Sequence, residues 1–138
     1  MVGEAQIERH AVTSGRFAAA QTRVIHWHDR ERYWPEERAY IGRRVQWATP
    51  REPASTFANP YPVEQHGRQG AISLYRLYLT VMLQKVPGRR EELERLRGRV
   101  LGCWCAPPGG EPLTWDRPRE QICHGQVIAE LLDTGRRA

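Results

Sequence analysis

Three stretches of the 138-residue chain have the residue pattern of β-strands. Apolar and polar residues alternate in TRVIHWHD (Thr22–Asp29), which is rich in β-branched residues. A second strand is predicted over RAYIGRRV (Arg38–Val45), in which Gly42 weakens the strand or marks a bulge. The third is the largely apolar segment RVLGCWC (Arg99–Cys105). The pattern therefore predicts three short strands.

Helical spacing marks three other segments. RQGAISLYRLYLTVMLQKV (Arg68–Val86) keeps its polar residues on one narrow stripe, so we expect a helix buried on most sides, in a core or in a contact between two copies. REELERLRG (Arg90–Gly98) predicts a short charged helix that ends at a glycine cap. The last helix is predicted over CHGQVIAELLDTG (Cys123–Gly135), which has an apolar inner stripe.

Loops rich in proline and glycine separate these elements. Residues 46–67 contain four prolines, and the 17 residues from 106 to 122 form a second long loop. Residues 1–21 have no clear period, and they could form a short helix or a loose N-terminal arm. Strands interleaved with helices predict one small α/β domain over residues 22–135, with a short, mainly parallel or mixed sheet.

Charge and composition narrow the class of protein. The formal net charge is +5, and Lys85 is the only lysine, so arginine supplies nearly all of the positive charge. Arginine binds phosphate and carboxylate through paired hydrogen bonds, which suits a small anion, a nucleotide or a nucleic acid without selecting one. No apolar run reaches the roughly 18 residues of a membrane span, and no signal-peptide pattern is present. We therefore expect a cytoplasmic protein that does not interact with membranes.

All three cysteines lie in one segment, residues 101–132, and His124 directly follows the last of them. An odd number of cysteines excludes a complete disulfide framework, and in a reducing compartment thiols more often bind metals or catalyse reactions. On a strand, Cys103 and Cys105 face the same way. Cys123 lies at the predicted start of the last helix, where the helix dipole favours a thiolate.

The first interpretation of this cluster is a zinc site. Its candidate ligands are Cys103, Cys105, Cys123 and His124. One objection is that neighbours on a helix point about 100° apart, so Cys123 and His124 seldom bind one ion together. A second is that the loop 106–122 could carry Cys123 away from the other two cysteines. If one ligand is missing, its place would go to water or to one of three other histidines, His26, His28 and His66.

Two other interpretations of the cluster stay open. In the second, Cys123 or Cys105 is a nucleophile and His124 is its base. In the third, the cysteines only pack as small apolar residues in the core.

Several residues outside the cluster are candidates for ligand binding. Arg43 and Arg68 could clamp a phosphate or carboxylate, and Gly42 could allow a ligand to approach the backbone closely. Asn59 could orient a substrate as part of the catalytic set, although Asn-Pro also starts turns. The aromatic residues that could stack on a base are Tyr40, Trp47, Trp104 and Trp115.

Five short motifs occur in an order that resembles one protein family. They are YIGR (Tyr40–Arg43), ANPY (Ala58–Tyr61), RQGAISLYRLYL from Arg68, LRGRVLGCWC (Leu96–Cys105) and CHG (Cys123–Gly125). From about residue 22 to residue 133 the chain resembles DUF4326, a domain of unknown function of bacteria and their phages. It departs from the family pattern at Ala58 and Tyr61 and in the length of both long loops. The resemblance implies that these motifs converge on one site, and it implies no particular reaction.

Together these features favour a small enzyme or ligand-binding domain for a nucleotide, nucleoside or similar anionic metabolite. Arg43 and Arg68 would hold the anion beside the Cys/His cluster. The cluster would bind zinc, or Cys123 would act directly. The alternative is a zinc-stapled module that binds nucleic acid or a protein partner without catalysis, through arginines spread over its surface. The residues leave open whether the protein is an enzyme and whether it forms a homodimer.

Overall fold

A three-stranded parallel sheet lies at the centre of the protein. We describe residues 20–45 and 52–135 of a computed structural model, so most of the predicted arm and Trp47 lie outside the described residues. The central strand is β3 (Val100–Cys103), which pairs on one side with β1 (Arg23–His26) and on the other with β2 (Arg38–Tyr40). Both pairings are parallel. The predicted α/β class with a mainly parallel sheet is confirmed.

Within residues 20–45 and 52–135, three α-helices and one 3-10 helix accompany the sheet. The 3-10 helix (Trp27–Arg32) directly follows β1. The α-helices are α1 (Val63–Lys85), α2 (Arg89–Glu94) and α3 (His124–Thr134). Helix α1 begins five residues before the predicted start because the chain is already helical before a kink at Gly67, whose φ of 70° suits glycine. None of the helices in the described ranges has the length and apolar character that crossing a bilayer requires.

The first strand is shorter than predicted because the chain leaves it at His26. The backbone N–H of His28 donates to Nδ1 of the His26 ring at 3.1 Å, and this contact caps the 3-10 helix. The expectation that both histidines share a strand face is therefore wrong. Their rings still lie close together, with centroids 4.7 Å apart.

The other two strands also end early. Strand β2 stops at Tyr40 instead of Val45, and β3 stops at Cys103. Cys105 consequently lies beyond the strand, so the prediction that it faces the same way as Cys103 through strand pleating is wrong. The backbone turns at Trp104, and this turn brings the Cys105 side chain back towards the end of the sheet.

The core lies between the sheet and helices α1 and α3. Tyr75 and Leu79 of α1 are fully buried, and the Tyr75 hydroxyl donates to the Phe57 carbonyl at 2.7 Å. The opposite side of α1 is open, since Leu77 and Val81 are 66% and 54% exposed. The expectation that this helix is buried on most sides is therefore wrong. A homodimer through its exposed face remains a prediction.

Candidate metal centre and adjoining cavity

Four side chains converge where β3 ends and α3 begins. The Sγ atom of Cys123 lies 2.7 Å from the Sγ atoms of both Cys103 and Cys105, which are 3.2 Å from each other. The Nδ1 atom of His124 lies 3.7 Å from the Cys105 sulfur. All four donor atoms are within 4.8 Å of one another, and the three cysteines are free thiols. This group could hold a metal ion such as zinc.

Backbone conformation at the start of α3 allows adjacent residues to share this site. Cys123 is the N-cap of the helix, and its backbone is extended, with φ −142° and ψ 141°. His124 is the first helical residue. The angle of about 100° between neighbours applies only when both residues are helical. The objection to a site containing both Cys123 and His124 is therefore wrong.

A backbone carbonyl orients the His124 ring through the ring nitrogen that lies away from the sulfurs. Its Nε2 atom lies 2.8 Å from the oxygen of Ile41, just beyond β2. Because a carbonyl only accepts hydrogen bonds, Nε2 carries the proton and Nδ1 presents a lone pair to the sulfurs. Histidines that bind metals usually donate their second ring N–H to a carbonyl or carboxylate in this way. The Tyr75 ring packs against the imidazole at a centroid distance of 4.9 Å.

The pKa values of the three thiols are shifted in different directions. Hydrogen bonds from Cys103 and Cys123 hold the pKa of Cys105 well below its usual value. Burial raises the pKa of the Cys103 and Cys123 thiols. The cluster thus concentrates negative charge on one sulfur in a largely buried place, where a bound cation would neutralise it.

Hydrogen bonds to the Gln126 side chain hold the long loop before Cys123 in place. The sequence analysis did not identify this residue. Gln126 is fully buried, and its Oε1 atom accepts the N–H groups of Ile122 at 2.7 Å and Cys123 at 3.2 Å. Its Nε2 atom donates to the Thr114 carbonyl at 2.9 Å. The expectation that the loop could carry Cys123 away from the other cysteines is therefore wrong. The sequence feature that could have identified Gln126 is its place three residues after the N-cap, because glutamine at this position often forms a capping box.

A cavity of about 270 Å³ opens beside the cluster. Every residue predicted to bind ligand lines it, namely Gly42, Arg43, Asn59 and Arg68. Three of the four donor residues also line it, namely Cys103, Cys105 and His124. Residues from all five sequence motifs therefore meet in one place, which is what the family resemblance implied.

The two arginines of the cavity use only part of their guanidinium groups. Nε of Arg43 donates to the Asn59 carbonyl at 2.7 Å, and Nη1 of Arg68 donates to the Ile122 carbonyl at 2.7 Å. Within the described ranges neither arginine forms an ion pair, whereas Arg76 pairs with Glu130 at 3.2 Å. Both cavity side chains thus keep N–H donors available for a ligand.

Asn59 and Gly42 have structural partners beside the cavity. The Asn59 amide accepts the Tyr61 N–H at 2.9 Å and donates to the Ala71 carbonyl at 3.3 Å, which ties the loop to α1. A Cβ atom on Gly42 would lie 2.4 Å from the Tyr40 hydroxyl oxygen. The close neighbour of this glycine is therefore Tyr40, and roles of Gly42 and Asn59 towards a ligand stay predictions.

Comparison with known families assigns the chain by sequence. Residues 24–134 match the family described as "Domain of unknown function (DUF4326)". The chain belongs to the DUF4326 family. The matched range extends from β1 into the end of α3, so it contains both the Cys/His cluster and the cavity. Comparison with curated proteins and with solved structures finds no significant match.

The thiols of this DUF4326 domain differ in access from the cavity. Cys103 and Cys123 are each 1% exposed, whereas Cys105 is partly exposed. A molecule in the cavity would therefore meet Cys105 before Cys123, the other candidate nucleophile. Within the described ranges the converging group contains none of the other predicted histidine ligands, namely His26, His28 and His66.

Proposed function

We propose that this DUF4326 domain binds one zinc ion and uses the adjoining cavity to bind a nucleotide or similar small anionic metabolite. The zinc ligands are Cys103, Cys105, Cys123 and His124. The proposal is carried by one observation: four metal-binding atoms lie within 4.8 Å of one another beside a cavity whose two arginines form no ion pair with any residue that the structure describes.

The donor set favours zinc in a structural role. Three thiolates and one imidazole nitrogen form a common tetrahedral zinc site, and four protein ligands leave no open position for a catalytic water. Two sulfurs on one zinc ion are about 3.8 Å apart, given Zn–S bonds of about 2.3 Å. The sulfurs at 2.7–3.2 Å would therefore move apart slightly on binding. Multi-iron clusters fit less well, because they spread their thiolates around several metal atoms.

Elemental analysis of protein purified without a histidine tag tests the zinc site. We expect about one zinc ion per chain, with the three thiols unreactive until a chelator removes the metal. Protein that contains no metal, and whose thiols react at once, would overturn the zinc assignment. One fast-reacting thiol in metal-free protein would instead favour thiol chemistry at Cys105.

Removing either arginine of the cavity is expected to weaken anion binding. In thermal-shift titrations of zinc-loaded protein with inorganic phosphate, we expect Arg43→Gln and Arg68→Gln to raise Kd at least about tenfold, because each loses a charge-assisted hydrogen bond. The matched control is Arg90→Gln, an exposed position on α2. Arg68 also contacts the Ile122 carbonyl, so the zinc content of each variant is measured. Unchanged phosphate binding in both cavity variants would contradict the proposal.

Gln126 is expected to control how firmly zinc is held. Gln126→Leu leaves the buried N–H groups of Ile122 and Cys123 without their acceptor, so the Cys123 ligand is positioned less well. We expect zinc release to a chromogenic chelator to accelerate by about 10- to 100-fold. The same substitution at Gln84, an exposed position on α1, should leave the rate unchanged. Equal rates for Gln126→Leu and the wild type would show that this glutamine does not position the ligand.

The net charge of +5 supports a second candidate function, a zinc-stapled module that binds nucleic acid or a protein partner. Several arginines outside the cavity are paired with glutamates, and this pairing argues against a continuous basic surface. These pairs are Arg23–Glu37, Arg76–Glu130, Arg89–Glu92 and Arg97–Glu94. Nucleic-acid binding that falls steeply between low and high salt would favour this alternative, and a flat response would exclude it.

A further inference from the structure

Trp104 lines the cavity, and its side chain is held by several contacts. Its Nε1–H donates to the Tyr40 hydroxyl at 2.8 Å. The rings of His26 and His28 stand almost perpendicular to the indole, at centroid distances of 5.3 and 5.0 Å. The residue is partly exposed and lines the cavity. Because these contacts hold the indole in place, a planar ring could stack on it with little loss of side-chain freedom.

Polar groups of both signs line the same cavity. Arg43 and Arg68 keep N–H donors available, which suits the two charges of a phosphate monoester better than the single charge of a carboxylate. Glu64, in the first turn of α1, adds a carboxylate to the lining. A carboxylate only accepts hydrogen bonds, so it selects a ligand that also carries a donor, such as a sugar hydroxyl or an amino group.

The size of the cavity sets an upper limit on the ligand. A volume of about 270 Å³ lies near the lower end of the range for small-molecule sites. This space suits a ligand with one ring system, one sugar and one phosphate, part of which would extend through the open mouth. It is too small to enclose a dinucleotide.

We infer that the ligand of this cavity is a nucleoside monophosphate. Its phosphate binds Arg43 and Arg68, its base stacks on Trp104, and a hydroxyl or amino group donates to Glu64. This assignment rests on the proposed function and names the substrate class of the same site. Trp104 lies between the ligands Cys103 and Cys105, so zinc binding orders the stacking surface as well as the metal site.

Isothermal titration calorimetry on zinc-loaded protein tests the assignment. The ligands are the four ribonucleoside monophosphates, the matching nucleosides, ribose 5-phosphate and inorganic phosphate. We expect at least one monophosphate to bind at least tenfold more tightly than ribose 5-phosphate and than its own nucleoside. Comparison with ribose 5-phosphate isolates the contribution of the base, and comparison with the nucleoside isolates that of the phosphate.

Variants test the base contact and the phosphate contact separately. Trp104→Leu should reduce monophosphate affinity to that of ribose 5-phosphate and leave ribose 5-phosphate binding unchanged, while Trp104→Tyr should restore part of the difference. Arg43→Gln should weaken both ligands. Trp115→Leu is the matched control, because Trp115 does not line this cavity. Zinc content is measured for every variant, so a loss of metal is recognised separately from a loss of stacking.

Three outcomes would overturn the inference. If no monophosphate binds more tightly than ribose 5-phosphate or inorganic phosphate, the base contact is wrong, and the anion site of the proposed function survives. If Trp104→Leu binds monophosphates as the wild type does, the stacking assignment is wrong. If zinc-loaded protein binds none of the phosphates at millimolar concentration, both the inference and the anion part of the proposed function fail.

Discussion

Replacing Cys123 with serine is expected to abolish zinc binding and to lower Tm by about 10 °C or more. Cys123 is 1% exposed and its sulfur touches both other thiols, so its loss removes a ligand from the centre of the group. Structural zinc contributes directly to folding free energy. A loss of about 3 kcal/mol shifts Tm by roughly 10 °C in a domain of this size. Differential scanning fluorimetry with elemental analysis measures both effects.

Serine makes this test selective for the metal. Cys123 is the N-cap of α3, and its sulfur accepts the Gly125 N–H at 3.4 Å. Serine is among the best N-cap residues, so Cys123→Ser keeps or improves the capping of the helix. Any fall in Tm is then attributable to the missing zinc ligand, because the start of the helix remains satisfied.

A chelator supplies the control for this prediction. If the proposed zinc site is correct, excess chelator should remove the metal from the wild type, and its Tm should fall to within a few degrees of that of Cys123→Ser. A wild-type Tm that is insensitive to chelation, together with full stability of the serine variant, would mean that the cysteines are only core residues.

The order and spacing of residues were enough to predict the sheet and the group of four side chains that could hold a metal. The segment RVLGCWC is largely apolar because β3 is the central strand and all four of its residues are buried. Parallel strands place their carboxyl ends at one edge of a sheet, and Cys103 and the start of the last helix meet at this edge. These predictions depend only on periodicity and topology, which short sequence patterns encode well.

Other features depended on backbone conformation that no local pattern specifies. Whether Cys123 is extended or helical decides whether it can share an ion with His124, and a segment CHG is compatible with both. The alternation in TRVIHWHD predicts a strand throughout, yet the chain turns into a 3-10 helix after His26. The apolar residues Leu77 and Val81 fit a buried helix, and only the packing of the whole domain exposes them.

Arg68 links the cavity to the metal site. Its Nη1 atom donates to the Ile122 carbonyl at 2.7 Å and lies 3.5 Å from the carbonyl oxygen of Cys105. Ile122 immediately precedes Cys123, so this one side chain contacts the backbone of both segments that bring sulfur to the cluster. A zinc ion bound by the four donor residues would hold the same two segments together from the other side.

Replacing Gly102 with alanine is expected to lower the free energy of unfolding by about 3 kcal/mol, the upper part of the usual range for overpacking. A Cβ atom at this position in β3 would lie 2.0 Å from Cε3 of the Trp27 ring and 2.6 Å from Cζ3. The ring cannot easily retreat, because its Nε1–H donates to Glu52 at 3.1 Å and Tyr40 packs against it at a centroid distance of 5.2 Å. Urea unfolding measures the loss.

Two further variants separate this collision from a general effect of alanine. Gly110→Ala adds the same methyl group in open, exposed space and should change stability by less than about 0.5 kcal/mol. Trp27→Leu removes the ring that the new methyl group meets, so combining it with Gly102→Ala should cost less than the sum of the two single changes. Strict additivity would mean that the methyl group added at position 102 does not collide with the Trp27 ring. Another contact would then require glycine at this position of the central strand.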